Sequence, residues 1–295
     1  MKKLVVIMIH VCLLVSLGQA AEVWDSFNYV PGNIGGQSGG GGWAGSQWYV
    51  PTDTGYHEGT AEIVASSLVF SNYATSGGAL KMVQTDTSGT AVQIGVRRQM
   101  GTSFTTGSDL WISFLAKADP ALTNDFASRI AELRHGGTLG NCNFRMSPKM
   151  FDVQGVRCGY NSSSTVNDNT YNVQDGGTYL YIARFDNLGS STGDGAAMWV
   201  FDEVGYNSAM TDGVFRLSEL DSYYYLKSTD VQANLSMTTA YYAMFNLYDN
   251  VNPDFGYYFD ELRYGYSLDS ILTIPEPATI MLVAFGSSIL LRKRK

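Results

Sequence analysis

The strongest constraint on the fold of this 295-residue chain is a succession of short apolar segments separated by turn residues. Residues 178–186 alternate between two apolar faces, a Gly/Ser/Thr/Asp turn follows, and residues 196–204 form the next strand-like segment, which together predict a β-hairpin. Residues 110–117 are more continuously apolar, which predicts a central strand buried on both faces. Since no long amphipathic helical pattern interrupts these segments, the sequence predicts an all-β sandwich for residues 21–270.

The N-terminal segment does not follow this β pattern. Lys2 and Lys3 precede an apolar run, and residues 18–20, Gly-Gln-Ala, form a small-x-small cleavage site. These features indicate a secretory signal peptide at residues 1–20, and therefore an exported protein. The alternative is an uncleaved N-terminal anchor.

The C-terminal segment, residues 271–295, is equally distinct. Pro275 and Pro277 exclude a helix around Glu276 and favour an extended spacer. The apolar residues 278–291 would span roughly 20 Å as a helix, short of a hydrocarbon core of about 30 Å, although local thinning of the bilayer can accommodate such a transmembrane helix. A basic cluster then follows, which would stay on the cytoplasmic side: Arg292, Lys293, Arg294 and Lys295. The alternatives are a buried core helix, a permanent tail anchor and a sorting signal that is cut.

This order of Pro-Glu-Pro, short apolar helix and terminal basic cluster resembles a PEP-CTERM sorting signal. The resemblance implies a bacterial envelope that produces exopolysaccharide. It also implies a precursor held transiently in the inner membrane, an exosortase that processes it, and delivery of the body to the cell surface or extracellular matrix. It concerns the tail alone and implies nothing about the activity of the body.

The charge of the body restricts its partners. Residues 21–274 carry 13 Lys+Arg and 26 Asp+Glu, because two cations lie in residues 1–20, and four cations and one acid lie in the tail. The body is thus near −13. Since an acidic surface repels phosphate backbones, nucleic acid is not expected as a partner.

The cysteines suit an exported protein. Cys12 lies in the signal peptide, and the remaining chain keeps Cys142 and Cys158, an even number. A disulfide between them would close a loop of about 15 residues and add roughly 3 kcal/mol of stability. It requires Cα atoms within about 7 Å of each other. The alternative is two free, buried thiols.

Two segments of the body echo each other, with residues 199–204 reading Trp-Val-Phe-Asp-Glu-Val and residues 257–262 reading Tyr-Tyr-Phe-Asp-Glu-Leu. The second continues as Arg-Tyr-Gly and resembles the closing strand of laminin-G-like, concanavalin A-like jelly rolls. An opening strand at residues 24–29, followed by a glycine-rich loop at residues 32–45, is similar to exported bacterial proteins of that class. The resemblance implies a jelly-roll β-sandwich in which residues 24–29 pair antiparallel with residues 257–264.

Motifs for catalysis are weak. Residues 36–40 match the G-x-S-x-G pattern but lack the strand and helix that a nucleophile elbow requires. His57 and His135 are too few for the common zinc or histidine-base sites. The adjacent acids at residues 202–203 and 260–261 should point to opposite faces of a strand, so neither pair is a ready acid–base couple. Helix or turn capping, or pairing with an arginine, is the expected role of these acids.

Calcium is left open as a ligand, and no other cofactor is expected. Hard cations prefer carboxylate and carbonyl oxygens in loops. Four acids lie in such polar loops, without the spacing of an EF-hand: Asp168, Asp175, Asp186 and Asp194.

These observations lead to an exported, non-enzymatic surface or matrix protein as the first interpretation. The alternative is a carbohydrate-binding module for exopolysaccharide, because exposed aromatic rings can form a sugar platform and the chain has 19 Tyr. Aromatic residues are also enriched in β-sheets for packing reasons alone. A second alternative is a polysaccharide hydrolase or lyase.

Overall fold

The computed structural model describes residues 23–44, 47–51, 59–71, 73, 75–85, 92–101, 108–119, 129–134, 142–147, 157–159, 176–186, 195–213, 215–230, 242–249 and 255–272. The predicted signal peptide, the Pro-Glu-Pro motif, the apolar and basic parts of the tail, and both body histidines lie outside these ranges. No helix among the described residues is long and apolar enough to cross a membrane.

The described residues form fourteen strands and three short helices. The strands are β1 (Val23–Asp25), β2 (Gly32–Asn33), β3 (Gly59–Val64), β4 (Ala79–Gln84), β5 (Val92–Gln99), β6 (Leu110–Ala118), β7 (Arg129–Arg134), β8 (Cys142–Ser147), β9 (Arg157–Gly159), β10 (Thr178–Phe185), β11 (Ala196–Phe201), β12 (Leu226–Asp230), β13 (Tyr242–Asp249) and β14 (Phe255–Gly265). The helices are α1 (Glu203–Ala209), α2 (Leu217–Tyr223) and α3 (Leu268–Leu272).

The strands form two sheets. The larger has the order β12-β11-β10-β6-β14-β4-β3-β2, with β1 pairing to β14, and the smaller has the order β5-β13-β7-β8-β9. The strand pairs are antiparallel throughout the described ladders. The all-β sandwich predicted from the strand pattern is therefore confirmed.

Three local expectations can be compared with the sheets. The hairpin is confirmed, because β10 pairs with β11 from Leu180 opposite Phe201 to Phe185 opposite Ala196. The central position of β6 is confirmed, since it lies between β10 and β14 and is buried on both faces along most of its length. The second hairpin strand ends earlier than predicted, at Phe201, because Asp202 caps α1 by accepting a hydrogen bond from the Gly205 amide at 2.8 Å.

The two ends of the body meet in the larger sheet. Val23 lies opposite Tyr264, and Asp25 lies opposite Leu262. This confirms the predicted antiparallel pairing of the opening and closing segments, although the paired part of the opening segment is limited to β1.

The main core fills the space between the sheets. Phe114 and Phe259 of the larger sheet and Phe245 of the smaller sheet are fully buried there, and the ring centroids of Phe245 and Phe259 are 4.2 Å apart. Burial of an aromatic side chain of this size contributes about 1.5–3 kcal/mol. These contacts fix one face of each sheet toward the other.

A second core covers the opposite face of the larger sheet. Trp111 and Trp199 stack there with an interplanar angle of 13°, and the three helices and the segment before β4 contribute further buried side chains, including Phe70, Tyr206 and Ile271. Apolar layers thus cover both faces of the larger sheet. The outer face of the smaller sheet belongs to neither core, and the candidate functional site lies there.

Candidate functional site

The outer face of the smaller sheet can be followed from Arg97. In β5, the side chains of Ile94 and Val96 belong to the main core, so the alternating positions Gly95, Arg97 and Gln99 face outward. Antiparallel pairing carries this face across the sheet, because residues directly opposite each other lie on the same side.

Arginine recurs at the outer positions of this sheet. Arg97 lies opposite Met244 of β13, which lies opposite Glu132 of β7, and Glu132 lies opposite Arg145 of β8. The neighbouring positions add Arg134 opposite Tyr242, Arg129 opposite Tyr248, and Arg157 opposite Ser147. We call this set of register positions the arginine face and define it by five residues: Arg97, Arg129, Arg134, Arg145 and Arg157.

An exposed aromatic ring borders the arginine face at its β5 edge. Tyr49 bridges to Arg97 through two backbone hydrogen bonds, each 2.9 Å long. The Arg97 guanidinium carbon lies 4.7 Å from the centroid of the Tyr49 ring, within the range of a cation–π contact. Since 42% of Tyr49 is exposed, the ring is available to a ligand.

The segment that carries Tyr49 is held by its buried neighbour, Trp48. The Trp48 indole nitrogen donates a hydrogen bond of 2.9 Å to Asp25, and its ring packs on Phe27 and on Phe245 of β13. The position of Tyr49 is therefore set by the core rather than by loop contacts alone.

Asp25 is the centre of this anchor. Its carboxylate accepts hydrogen bonds from the Phe27 amide at 2.9 Å, from the Tyr29 hydroxyl, and from the Trp48 indole. It also forms an ion pair of 2.9 Å with Arg98, which is buried on the inner side of β5. Burial raises the pKa of Asp25, while these donors and the arginine lower it. The effect of burial on the pKa is the larger one, so Asp25 is a desolvated carboxyl group that several hydrogen-bond donors and one arginine satisfy.

A second buried polar cluster lies at the bulge in β14. Asp260 accepts hydrogen bonds from the amides of Leu68 and Glu261, at 2.9 and 2.8 Å. Glu261 has a positive φ of 51°, accepts from the Ser76 amide, and pairs with Arg263 at 2.8 Å. Burial and the neighbouring Glu261 raise the pKa of Asp260 to about 8.

The acids singled out in the sequence therefore have structural partners. Asp202 caps α1, Glu203 accepts a hydrogen bond from the Ser71 amide, and Glu261 pairs with Arg263. Capping or pairing with arginine, the role expected for these acids, is confirmed for Asp202 and Glu261. Asp260 instead holds two backbone amides.

The structure bears less on the predicted metal sites. Among the described residues, no group of three or more His, Cys, Asp or Glu side chains could hold a metal ion. Asp186 is described and forms an ion pair with Arg184. Asp168, Asp175 and Asp194 lie outside the described residues, so calcium stays a prediction.

The strand register separates the two cysteines of the body. Cys158 of β9 lies opposite Met146 of β8, and Cys142 is four residues away along the same strand. Four residues of strand span about 13 Å, which exceeds the limit of about 7 Å between the Cα atoms of a disulfide. The register does not bring Cys142 and Cys158 into bridging range.

Comparison with known proteins gives matches among solved structures only. No family model matches the chain, and no curated protein matches it. An endo-β-1,4-glucuronan lyase from the fungus Trichoderma reesei is similar over 82% of this chain and 95% of its own, with a TM-score of 0.49 and 15% identity. The catalytic domain of a glycoside hydrolase family 131 protein from Coprinopsis cinerea is similar over 88% of this chain and 100% of its own, with a TM-score of 0.45 and 12% identity.

A third similar structure is a mutant of alginate lyase Aly36B in complex with an alginate tetrasaccharide. It matches over 83% of this chain and 96% of its own, with a TM-score of 0.42 and 12% identity. The expectation of a non-enzymatic body is corrected here, since these three similar structures are two lyases and a glycoside hydrolase. The substrates in their names belong to those proteins.

The arginine face itself was not singled out in the sequence. Its residues come from β5, β7, β8 and β9, which are separated in the sequence, and each arginine looks like an ordinary surface cation in its own segment. Only the sheet register places them on one surface. The one local signal is the run from Arg129 to Arg134, where cations occur at both ends of a short strand.

Proposed function

We propose that the body binds polysaccharide across the arginine face. The contact between exposed Tyr49 and Arg97 carries this proposal. An aromatic ring offers an apolar surface to the C–H face of a sugar, and a guanidinium group beside it offers a fixed set of N–H donors to the sugar oxygens. The two requirements of a sugar subsite thus lie next to each other at the sheet edge.

A glycan array tests this proposal, followed by calorimetric titration of the intact protein with the glycans it selects. Tyr49→Ala should lower the affinity about tenfold, because it removes the exposed ring and its contact with arginine. Tyr223→Ala is the matched control, because Tyr223 is exposed to a similar extent, 43%, but lies on α2 over the other sheet. Loss of affinity in both variants, or in neither, would contradict this placement of the site.

Cleavage of the bound polysaccharide is a second candidate function, and the acid content of the face favours elimination over hydrolysis. Glycoside hydrolysis commonly uses two carboxylates, whereas Glu132 is the one acid at the outer positions of the described strands of this sheet. Elimination from a uronic acid needs a base to remove the C5 proton. The C4–O bond then breaks, a C4–C5 double bond forms, and the departing oxygen takes up a proton from an acid or from water to become a hydroxyl group. By strand register, Glu132, Tyr242 and Tyr248 occupy outer positions of this sheet, and they are the candidates we propose for this base.

The two reactions give different products. Elimination creates an unsaturated sugar end that absorbs ultraviolet light, and hydrolysis creates a reducing end without that absorbance. Glu132→Gln and Tyr242→Phe should abolish turnover if either residue is the base, while binding of the intact polysaccharide persists. Wild-type turnover that yields reducing ends without ultraviolet absorbance would contradict elimination.

We further propose a jelly-roll topology of the laminin-G-like, concanavalin A-like kind for the body. The pairing of β1 with β14 supports it, because the opening and closing strands lie side by side in one sheet. The packing of the larger sheet on the smaller one through a continuous apolar core also supports it.

We also propose that the protein is exported and that its tail is cut. The signal peptide at residues 1–20 and the PEP-CTERM-like tail at residues 271–295 support export. They also support a precursor in the inner membrane, cutting near Pro275 by an exosortase-like enzyme, and delivery of the body to the surface or matrix. A polysaccharide-binding body at that location would meet exopolysaccharide directly.

A further inference from the structure

Exposed apolar side chains are concentrated over the helices that cover the larger sheet. Of the seven large apolar side chains that are exposed among the described residues, five lie on or next to α1 and α2 or on the segment before β4. We call these five the helix patch: Val69, Val204, Leu217, Tyr223 and Tyr224. Single apolar side chains are ordinary on a protein surface, but a group of them in one place indicates an interaction site.

Backbone contacts bring the segments of the helix patch together. A Cβ added to Gly205 would lie 2.2 Å from the carbonyl oxygen of Tyr223, so the turn of α1 that carries Val204 touches the end of α2. The Ser71 amide donates a hydrogen bond of 3.0 Å to Glu203, which brings the segment before β4 beside the same turn. The helix patch is thus centred on the first turn of α1.

The tail of the chain starts close to the helix patch. The last described helix, α3, packs in the second core, where the Ile271 carbonyl accepts a hydrogen bond of 3.2 Å from Arg263. The Arg263 guanidinium carbon lies 5.0 Å from the centroid of the Tyr73 ring, and that ring lies 5.9 Å from the ring of Tyr206 in α1. Residues 273–277 can span about 17 Å when extended, which is enough to bring the apolar residues that follow over α1.

The charge of the helices is complementary to that of the tail. Residues 202–224 contain five acids and one cation, Arg216, which pairs with Asp212 and Glu219. Their formal charge of −4 is matched by the four cations of residues 292–295, which directly follow the apolar run. A segment with an apolar stretch and a basic end therefore fits a surface that combines apolar side chains with acids.

We infer that the helix patch is the docking surface for the chain's own tail, with residues 278–291 on its apolar side chains and the basic cluster against the acids of the helices. This goes beyond export and cutting of the tail, because it concerns the protein before a bilayer takes up that segment. Docking removes the apolar run from water and so protects the precursor from aggregation. A lipid surface and a second copy of the chain are the competing occupants.

Photocrosslinking of the full chain tests the docking. A benzophenone side chain replaces Tyr223, and the matched control replaces Tyr49, since these tyrosines are 43% and 42% exposed but belong to opposite sheets. Each protein is irradiated at high dilution in detergent-free buffer, and mass spectrometry of the digested monomer identifies the linked peptide. We expect the peptide that contains residues 278–291 to be linked at least about tenfold more often to position 223 than to position 49.

Two variants separate the apolar part of docking from the ionic part. Val204→Asn should lower the yield of this crosslink at least about threefold. Val30→Asn should leave it unchanged, because Val30 is similarly exposed, at 76% against 74%, but lies in the loop before β2. Arg292→Gln, Lys293→Gln, Arg294→Gln and Lys295→Gln in one chain should lower the yield about threefold at low salt and have little effect at high salt. Thermal unfolding of each variant verifies that the fold is retained.

Three results would overturn the inference. Linkage of position 223 to another chain, seen as a covalent dimer at the same dilution, would make a second copy the occupant. Linkage to lipid in the presence of phosphatidylcholine vesicles, with no link to the tail in their absence, would make the bilayer the occupant. Equal yields of the tail peptide at positions 49 and 223, or none at both, would show that the tail has no fixed site on the body. Each of these results leaves the proposed polysaccharide binding and export in place.

Discussion

Arg97 and Tyr49 are joined twice, by two backbone hydrogen bonds of 2.9 Å and by a guanidinium-to-ring distance of 4.7 Å. The backbone bonds extend the smaller sheet by one residue beyond β5. The side-chain contact holds an exposed ring beside a half-buried cation. This arrangement gives the edge of the arginine face a defined shape before any ligand arrives, and pre-organisation of this kind lowers the entropic cost of binding.

The first prediction is that Tyr49 and Arg97 act as a unit in binding. Tyr49→Ala and Arg97→Ala should each weaken binding of a polysaccharide selected on the glycan array, and the double variant should lose less than the sum of the two. The expected coupling is about 0.5–1 kcal/mol, typical of an exposed cation–π contact. Calorimetric titration of the four proteins with that polysaccharide measures the coupling, and strict additivity would show that the two side chains act independently.

The second prediction concerns the glycine-rich loop. Gly40 has a positive φ of 65°, and a Cβ added there would lie 2.0 Å from the Trp24 carbonyl oxygen. Gly213 has a φ of 81°, but an added Cβ would meet no atom within 4 Å. Gly213→Ala should therefore lose about 1–2 kcal/mol from backbone strain alone, and Gly40→Ala should lose substantially more because the β1 backbone must move. Urea unfolding of both variants gives the comparison, and equal losses would contradict the close contact.

The elements that could be predicted from sequence are those with a local signal. The β10–β11 hairpin has two apolar segments around a polar turn, and β6 has a continuous apolar run, so both were predictable from side-chain pattern. Helix α1 was missed, because residues 199–204 read as one strand until Asp202 is known to cap the Gly205 amide. The end of β11 and the N-cap of α1 are adjacent in the sequence, and the apolar pattern does not show where the strand stops and the helix begins.

The site depended on information that no single segment contains. The inward position of Arg98 and the outward position of Arg97 follow from alternation once one core residue of β5 is known. The alignment of Arg97 with Arg145 through Met244 and Glu132 depends on three strand registers. Those registers are set by the core packing of strands distant in sequence, so the arginine face could not have been predicted from local pattern.

The third prediction is that the buried ion pair of Asp25 and Arg98 is essential for the stability of the loop anchor. Arg98→Ala would leave the Asp25 carboxylate buried without its cation, which typically costs about 3–5 kcal/mol. The exposed pair of Arg216 and Asp212 provides the control, and Arg216→Ala should have a much smaller effect on the free energy of unfolding. Similar midpoints for the two variants in urea would show that Asp25 is satisfied by its neutral donors alone.

The fourth prediction concerns the tail. If the Pro-Glu-Pro motif is a sorting signal, protein recovered from the cell surface should end near Pro275 and lack the basic cluster at residues 292–295. Glu276→Ala should then retain the full-length precursor in the membrane fraction. Intact-mass measurement distinguishes the two forms. Surface protein that still carries the basic cluster would identify a permanent anchor instead.

The last prediction concerns pH and the carboxyl group of Asp260. Burial and Glu261 raise its pKa from 3.8 to about 8 in the folded protein, whereas the unfolded chain keeps the ordinary value. Between about pH 4 and pH 8 the folded state therefore binds one more proton than the unfolded state. The linkage relation then requires that this group's contribution to stability decreases as pH rises through that range, by at most about 1.4 kcal/mol per pH unit.

Asp260→Asn isolates this effect, because the amide does not titrate and its oxygen can still accept the hydrogen bond from the Leu68 amide. The stability of the wild type relative to the variant should be greatest at or below about pH 4 and fall steadily toward pH 8, as measured by urea unfolding at each pH. Asp212→Asn, which alters an exposed carboxylate paired with Arg216, should not show this decline. Parallel stability curves for the wild type and Asp260→Asn would mean that Asp260 is already ionised in the folded protein at pH 5, with the Leu68 and Glu261 amides sufficient to offset its burial.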